Sequence, residues 1–311
     1  MVDKKSVVNW LIGRLKFSDE IRFRLITSGK LSLIPIIALL TLMSLLWLIL
    51  SINYTFFELS KLASVEVSKD LYFNYLIKSL MELIPYLLVF ATFVLCSGIY
   101  IGNMFIRPFK QIGVYCRERV KNINAVYDLD FFTDLKLLTS FSEYFFNGIE
   151  NALKRKKIEG LSIMQKFKKI HSPVFERNFF IHLFLVVGVI VIISGMGIYF
   201  ICAETYMDLI RLSVGNIQMD KNMRIFFDRQ NEIFLTVVWI VICIQSFAYI
   251  ILCIRLYEYV AVPSFAIFST MRSFLSGRFD SRVHIIGYKY TRGPFRDFNK
   301  YLDFVQQSCK K

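Results

Sequence analysis

The sequence predicts an all-α integral membrane protein with four transmembrane helices, arranged as two repeated units. Hydrophobic residues make up 55% of the 311 residues, a proportion typical of membrane proteins. In each half, a basic amphipathic leader precedes two apolar stretches joined by a short loop, and a proline then leads into a cytoplasmic segment. Each stretch is long enough to span a bilayer. The four stretches run from about Leu31 to Asn53, Leu80 to Ile106, Phe179 to Ala203 and Ile233 to Leu256.

The repeated order divides the chain into six parts. A cytoplasmic amphipathic leader (1–30) is followed by the first transmembrane pair (31–106) and a cytoplasmic helical pair (107–153). A basic amphipathic linker (154–178) then leads to the second transmembrane pair (179–256) and the second cytoplasmic helical pair (257–311). Pro108 and Pro263 mark the exit from the second and fourth spans.

The distribution of Lys and Arg predicts the topology. Residues 1–30 carry 7 of them, residues 107–177 carry 14 and residues 255–311 carry 10, whereas the loops 54–78 and 204–231 carry only 3 and 4. Because positive residues accumulate in cytoplasmic loops, both termini and the central segment are expected in the cytoplasm of a multi-pass inner-membrane protein. The net charge of +14 is then a topology signal beside the lipid bilayer, and no nucleic-acid partner is expected.

The central linker opens with a basic cluster and continues with apolar residues at helical spacing. The helical spacing of these apolar residues predicts an amphipathic linker before the third span; they are Ile158, Leu161, Met164, Phe167 and Ile170. Two interpretations of the basic residues stay open, namely recognition of anionic lipid at the membrane surface and a solvated linker whose charge only sets the topology. The cluster consists of Lys154, Arg155, Lys156 and Lys157.

The two cytoplasmic segments carry apolar residues at 3-and-4 spacing, which is the spacing of a coiled-coil seam. Two short helices joined by a connector of about 15 residues cannot bury such seams alone, so each pair needs another pair of helices. In the second pair, the later helix is predicted to start at Pro294. The seam residues are Phe268, Met271, Leu275, Phe295, Phe298, Leu302 and Val305 in the second pair, and Phe109, Ile112, Phe145 and Ile149 in the first.

The tail resembles a HAMP domain, the signal-relay module of bacterial sensor kinases and chemotaxis receptors. The resemblance depends on Pro263 after a span, on the connector start Ser276-Gly277-Arg278-Phe279 with Arg282-Val283, and on Phe295-x-x-Phe298-Asn299. It is clearer at 256–306 and degenerate at 107–153. It implies a parallel four-helix coiled coil that passes motion of the spans onward. Thr291-Arg292-Gly293-Pro294 stands where the family usually has an acidic residue, which puts the contact between connector and helix in doubt.

The sequence favours a non-enzymatic signal-relay or regulatory protein. Its three histidines are isolated, no glycine-rich nucleotide motif occurs, and no catalytic residue, metal or cofactor is expected. No kinase or cyclase domain follows before Lys311, so we expect a separate cytoplasmic or membrane protein partner to carry the output. The seams would pair within one chain or, alternatively, across a homodimer. The alternative functions are a membrane scaffold or assembly subunit and, less favoured, a transporter component.

Overall fold

The computed structural model describes residues 18–59, 65–122, 125, 127, 135–155, 163–215 and 221–310, and every regular element among them is helical. We number the α-helices in chain order. They are α1 (Asp19–Leu59), α2 (Val65–Lys121), α3 (Lys136–Arg155), α4 (Gln165–Lys168), α5 (Arg177–Gly215), α6 (Lys221–Leu275) and α7 (Arg292–Lys310), and a short 3₁₀ helix (Lys289–Thr291) precedes α7.

Four of these helices are long and apolar enough to cross a membrane. The most apolar 18-residue stretch of each helix has a mean hydropathy of 2.1 to 2.7. At most 33% of the residues in such a stretch are buried within the protein. Such exposed apolar surface is compatible with lipid and not with water. The prediction of an all-helical chain with four candidate spans is therefore confirmed, and the chain is a multi-pass membrane protein. The candidate spans are Asp19–Asn53, Ile84–Lys121, Arg177–Arg211 and Ile225–Leu275.

The helices extend well beyond the apolar stretches seen in the sequence. The helix α1 begins at Asp19, within the predicted leader, and α2 and α6 continue past Pro108 and Pro263 without interruption. Hydropathy marks the part of a helix that contacts lipid, whereas the polar ends of the same helix are held by tertiary contacts. Hydropathy alone therefore does not locate the ends of these helices. Residues 1–17 of the leader lie outside the described residues.

The chain forms two compact units. Unit 1 comprises residues 1–27, 98–184 and 254–311, and unit 2 comprises residues 28–97 and 185–253. Within the second, a core of apolar residues from α1, α5 and α6 surrounds Leu42, Cys202 and Val238, which are fully buried.

Polar side chains connect the helices of unit 2. The amides of Asn53 and Gln230 pair reciprocally at 3.0 and 2.9 Å, and Tyr206 donates to Gln230 Oε1 at 3.0 Å. Gln245 Nε2 donates to Ser194 Oγ at 2.6 Å, and both side chains are buried. Hydrogen bonds between membrane helices substitute for water, which the hydrocarbon region lacks.

The described part of the linker is only partly helical. Among the described residues between α3 and α5, which are 163–176, only Gln165–Lys168 are helical, and the chain leaves helical geometry from Lys169 to Glu176. Phe167 is buried, but Met164 is 48% exposed. Phe167 packs on Phe141 and Phe268, at ring distances of 4.7 and 6.3 Å, so a tertiary contact rather than a continuous apolar face organises this segment.

Candidate functional site

Four helical segments of unit 1 share a buried core, which we call the four-segment core. They are residues 108–121 of α2, 136–155 of α3, 263–275 of α6 and 292–310 of α7. Each of the eleven seam residues predicted above is at most 6% exposed. Pro108 and Pro263 are also buried, each inside its helix. The seam residues of both halves therefore lie inside one unit of one chain.

Aromatic contacts join the segments pairwise. Phe109 of α2 meets Phe295 of α7 edge-on at 6.0 Å. Phe145 of α3 contacts both Phe274 of α6, at 6.2 Å, and Phe298 of α7, at 6.0 Å. Because Phe145 comes from the first half of the chain and both of its partners come from the second, the core is built from the two halves together.

The α2 and α7 helices approach each other closely at Gly113. A Cβ atom added to this glycine would lie only 2.7 Å from the Cα of Pro294, which is closer than real atoms pack. Nearby, Asp297 accepts hydrogen bonds from Arg117 Nε at 3.0 Å and Nη2 at 2.5 Å. The start of α7 is thus positioned by backbone contact and by an ion pair whose carboxylate is only 12% exposed.

The connector between α6 and α7 is not helical, and side chains fasten it to α7. Gly277 ends α6 with φ +93°, a conformation that glycine adopts without strain. Arg282 then donates to Asp303 Oδ1 at 2.9 and 2.6 Å, and to the carbonyls of Phe279 and Ser281 at 2.7 and 2.8 Å. Asn299 of α7 also bonds the backbone of Val283 in the connector, so Arg282 and Asn299 together join the connector to α7.

The start of α1, from Asp19 to Thr27, also belongs to this unit. Phe23 stacks on Tyr290 with ring centroids 4.2 Å apart, and the Tyr290 hydroxyl donates to the carbonyl of Tyr259. Burial raises the pKa of Tyr290, so the hydroxyl remains a donor at physiological pH. Phe23, which lies in the predicted amphipathic leader, therefore packs against protein.

Hydrogen bonds connect the linker to α6 and to the start of α3. Arg272 donates to the carbonyls of Phe167, at 3.4 Å, and of Ile170. Glu176 Oε1 accepts the backbone N–H of Leu137 at 2.8 Å, which satisfies one of the free donors at the start of α3. Partial burial raises the pKa of Glu176, and this hydrogen bond and Lys136 offset only part of that rise.

The predicted basic cluster is only partly within the described residues. Lys154 and Arg155 end α3, and Lys154 pairs with Glu150 at 3.1 Å, where the two side chains are 71% and 37% exposed. Lys156 and Lys157 lie outside the described residues. An exposed pair of this kind contributes little to stability, and neither interpretation of the cluster is tested by it.

Sequence reasoning missed several residues of the core. Phe141 follows Leu138 by three residues and precedes Phe145 by four, so the seam spacing itself could have identified it. Gly113 inside a helical pattern was a second available signal, because an isolated glycine often marks a close approach. No local pattern pointed to Phe23, Arg272 or Glu176, whose contacts join residues at least 39 positions apart.

The arrangement defines a helical, multi-pass membrane protein with a buried aromatic core in one unit. Searches for similar proteins return no matching family model, no matching curated protein and no matching solved structure. Among the described residues, no group of three or more His, Cys, Asp and Glu side chains is arranged to hold a metal ion. The resemblance to HAMP domains stays a prediction.

Proposed function

We propose that this protein is a non-enzymatic relay in the inner membrane, in which displacement of the spans changes the packing of the four-segment core. A separate protein partner reads that change. The observation that supports the proposal most directly is the double contact of Phe145 with Phe274 and Phe298. It joins the two halves of one chain, which favours pairing of the seams within the chain over pairing across a homodimer.

The continuity of two helices supports a mechanical role. The α2 helix runs from Val65 to Lys121 and α6 from Lys221 to Leu275, so each contains an apolar stretch and a part of the core. A shift or rotation of the apolar stretch therefore moves Phe109 or Phe268 with it. Close-packed interfaces respond to such shifts by changing between discrete arrangements rather than by deforming continuously.

The HAMP resemblance and the cytoplasmic position of the core belong to the same proposal. A helix, a non-helical connector and a second helix follow the fourth span in the order that the resemblance implies. The excess of Lys and Arg in residues 107–177 and 255–311 favours the cytoplasmic side for the core.

A distance measurement between two nitroxide labels tests the relay. Glu143 of α3 and Lys300 of α7 are exposed positions on two segments of the core, and each is changed to Cys in a chain whose native cysteines are replaced by Ala. Double electron–electron resonance in lipid nanodiscs then measures the distance distribution in unit 1. The perturbation is Gln230→Leu, which removes the reciprocal amide pair with Asn53 in unit 2.

A relay predicts two distance populations whose weights change several-fold with Gln230→Leu. The matched control is Glu232→Gln, because Glu232 lies two residues away on α6 and its exposed side chain pairs with the exposed Arg229. If Gln230→Leu and Glu232→Gln give the same distribution as the parent chain, the relay is rejected and a passive scaffold is favoured. Intrachain pairing would be rejected if the distance appears in mixtures of singly labelled chains and is absent from doubly labelled chains diluted with unlabelled protein.

A further inference from the structure

The connector between α6 and α7 carries a cationic surface with an exposed apolar tip. The side chains of His284, Lys289, Arg292, Arg296 and Lys300 are exposed and line one surface cleft of about 610 Å³. Ile286, at the same cleft, is 98% exposed. We call this region the connector cleft.

The positive charge of the connector cleft is not neutralised within the described part of the chain. Asp303 is its single acidic lining residue, and Asp303 is already held by Arg282 at 2.6 Å. None of the five basic side chains has a salt bridge among the described residues. Uncompensated cations around an exposed apolar side chain are suited to an anionic partner that also offers an apolar layer.

The connector cleft is fixed close to the end of an apolar stretch. The ring of Tyr288 lies 5.8 Å from the ring of Tyr259, and Tyr290 donates to the Tyr259 carbonyl. Tyr259 follows Leu256, the last residue of the fourth predicted span, by three residues of α6, which corresponds to about 4.5 Å along the helix axis. The headgroup layer on each side of a bilayer is roughly 5 to 7 Å thick, so this distance is within it.

The neighbouring side chains agree with that depth. Tyr257 precedes Tyr259 by two residues on α6. Its ring packs against those of Phe175 and Phe180 at 5.3 and 5.5 Å, and Phe175 is 58% exposed. Tyrosines and other aromatic residues concentrate where membrane helices pass through the headgroup region.

We propose that the connector cleft is a docking site for anionic phospholipid headgroups, with Ile286 inserted into the interfacial layer. Lys289 and Arg292, which follow the tip by three and six residues, bind the lipid phosphates. The site is distinct from the basic cluster at Lys154, and it would make the position of the connector sensitive to the lipid charge at the membrane surface. The proposal does not depend on the relay function.

A depth measurement tests the docking site in the full-length chain. Ile286→Cys in a chain with its native cysteines replaced carries a nitroxide label, and power saturation compares its collisions with oxygen and with an aqueous nickel chelate. The vesicles contain phosphatidylcholine alone or with phosphatidylglycerol. The oxygen-to-nickel ratio is expected to rise several-fold with phosphatidylglycerol. A label at Gln307, an exposed position of α7 outside the cleft, is expected to remain aqueous in both vesicles.

Charge variants separate lipid docking from other causes. Lys289→Gln with Arg292→Gln is expected to abolish the rise at position 286, whereas Lys289→Arg with Arg292→Lys retains it. All of these positions are exposed, and unchanged helix content by circular dichroism verifies folding. A label that stays aqueous in both vesicles overturns the proposal. A label that responds to added inorganic phosphate but not to phosphatidylglycerol also overturns it and assigns the cleft to a soluble phosphate ligand.

Discussion

The side-chain amide of Asn299 pairs with both backbone groups of Val283. Asn299 Oδ1 accepts the Val283 N–H at 2.9 Å, and Asn299 Nδ2 donates to the Val283 carbonyl at 3.0 Å. Val283 is 4% exposed and lies in the non-helical connector, so α7 supplies the hydrogen bonds that secondary structure would otherwise provide.

Replacing Asn299 by Ala is therefore expected to release the connector. The change leaves two backbone groups of Val283 without partners, which costs about 1 to 3 kcal/mol when such groups are buried. Hydrogen–deuterium exchange in detergent should show a Val283 amide that exchanges at least several-fold faster, with the α3 amides unchanged.

Two further variants identify the cause of that release. Asn299→Asp keeps an acceptor for the Val283 N–H and loses the donor, so an intermediate effect is expected. Lys300→Ala, at the next and exposed position, should leave exchange unaltered. Equal exchange in Asn299→Ala and Lys300→Ala would show that the paired amide does not hold the connector.

Gly113→Ala is expected to separate α2 from α7. The new Cβ would lie 2.7 Å from Pro294 Cα, and backbone cannot move aside as a side chain can. In an isolated helix the same change would stabilise by roughly 1 kcal/mol, so a loss of stability must come from the tertiary contact. Thermal unfolding in detergent should show a lower Tm.

Gly293→Ala is the matched control for this contact. Gly293 precedes Pro294 in α7, and a Cβ at this position meets nothing within 4 Å. A Tm close to that of the parent chain and above that of Gly113→Ala is expected, because the following proline offsets the gain that a Cβ normally brings to a helix. The packing at Gly113 would be refuted by a Gly113→Ala chain that behaves like Gly293→Ala.

The buried pair of Gln245 and Ser194 is expected to respond asymmetrically to mutation. Gln245 Oε1 is buried without a hydrogen-bond partner in the described structure, while Gln245 Nε2 donates to Ser194. Gln245→Leu removes an unpaired carbonyl and should be neutral or stabilising. Ser194→Ala leaves the amide donor unpaired as well and should cost about 1 to 2 kcal/mol.

A double-mutant cycle measures this asymmetry. With Leu at position 245, the additional Ser194→Ala change should cost little, because the amide donor is already absent. Stability is followed by unfolding in mixed micelles. Equal costs of Ser194→Ala in both backgrounds would exclude a coupling between the two side chains.

The stability of the α3 start is expected to depend on pH through Glu176. Its raised pKa means that folding favours the neutral carboxyl. Its contribution to stability is therefore present below the ordinary pKa of 4.5 and is lost as the pH rises through the raised pKa. Glu176→Gln keeps an oxygen acceptor for Leu137 but does not titrate.

The Tm of Glu176→Gln minus the Tm of the parent chain should accordingly become more positive as the pH rises from 4.5 through the raised pKa of Glu176. Glu143→Gln, at an exposed position of α3, provides the control for a general effect of charge. A Tm difference for Glu176→Gln that does not vary with pH would contradict the assignment.

Much of the fold could be predicted because hydropathy is a local property. Four apolar stretches identified four candidate spans, and the 3-and-4 spacing of Phe268, Met271 and Leu275 marked residues that are buried. Helix ends were less predictable. The polar residues of α1 from Asp19 onward resemble a leader in sequence, and they continue the helix in unit 1, where Phe23 stacks on Tyr290.

The sequence by itself determined that the chain is helical, that four of its helices can cross a membrane, and which residue faces are apolar. Only the tertiary structure decided which faces meet: Phe145 with Phe274 and Phe298, Gly113 with Pro294, and Asn299 with Val283. The physical reason is that spacing along a helix depends on neighbours three or four residues away, whereas these contacts join residues 16 to 181 positions apart, at distances that no local pattern encodes.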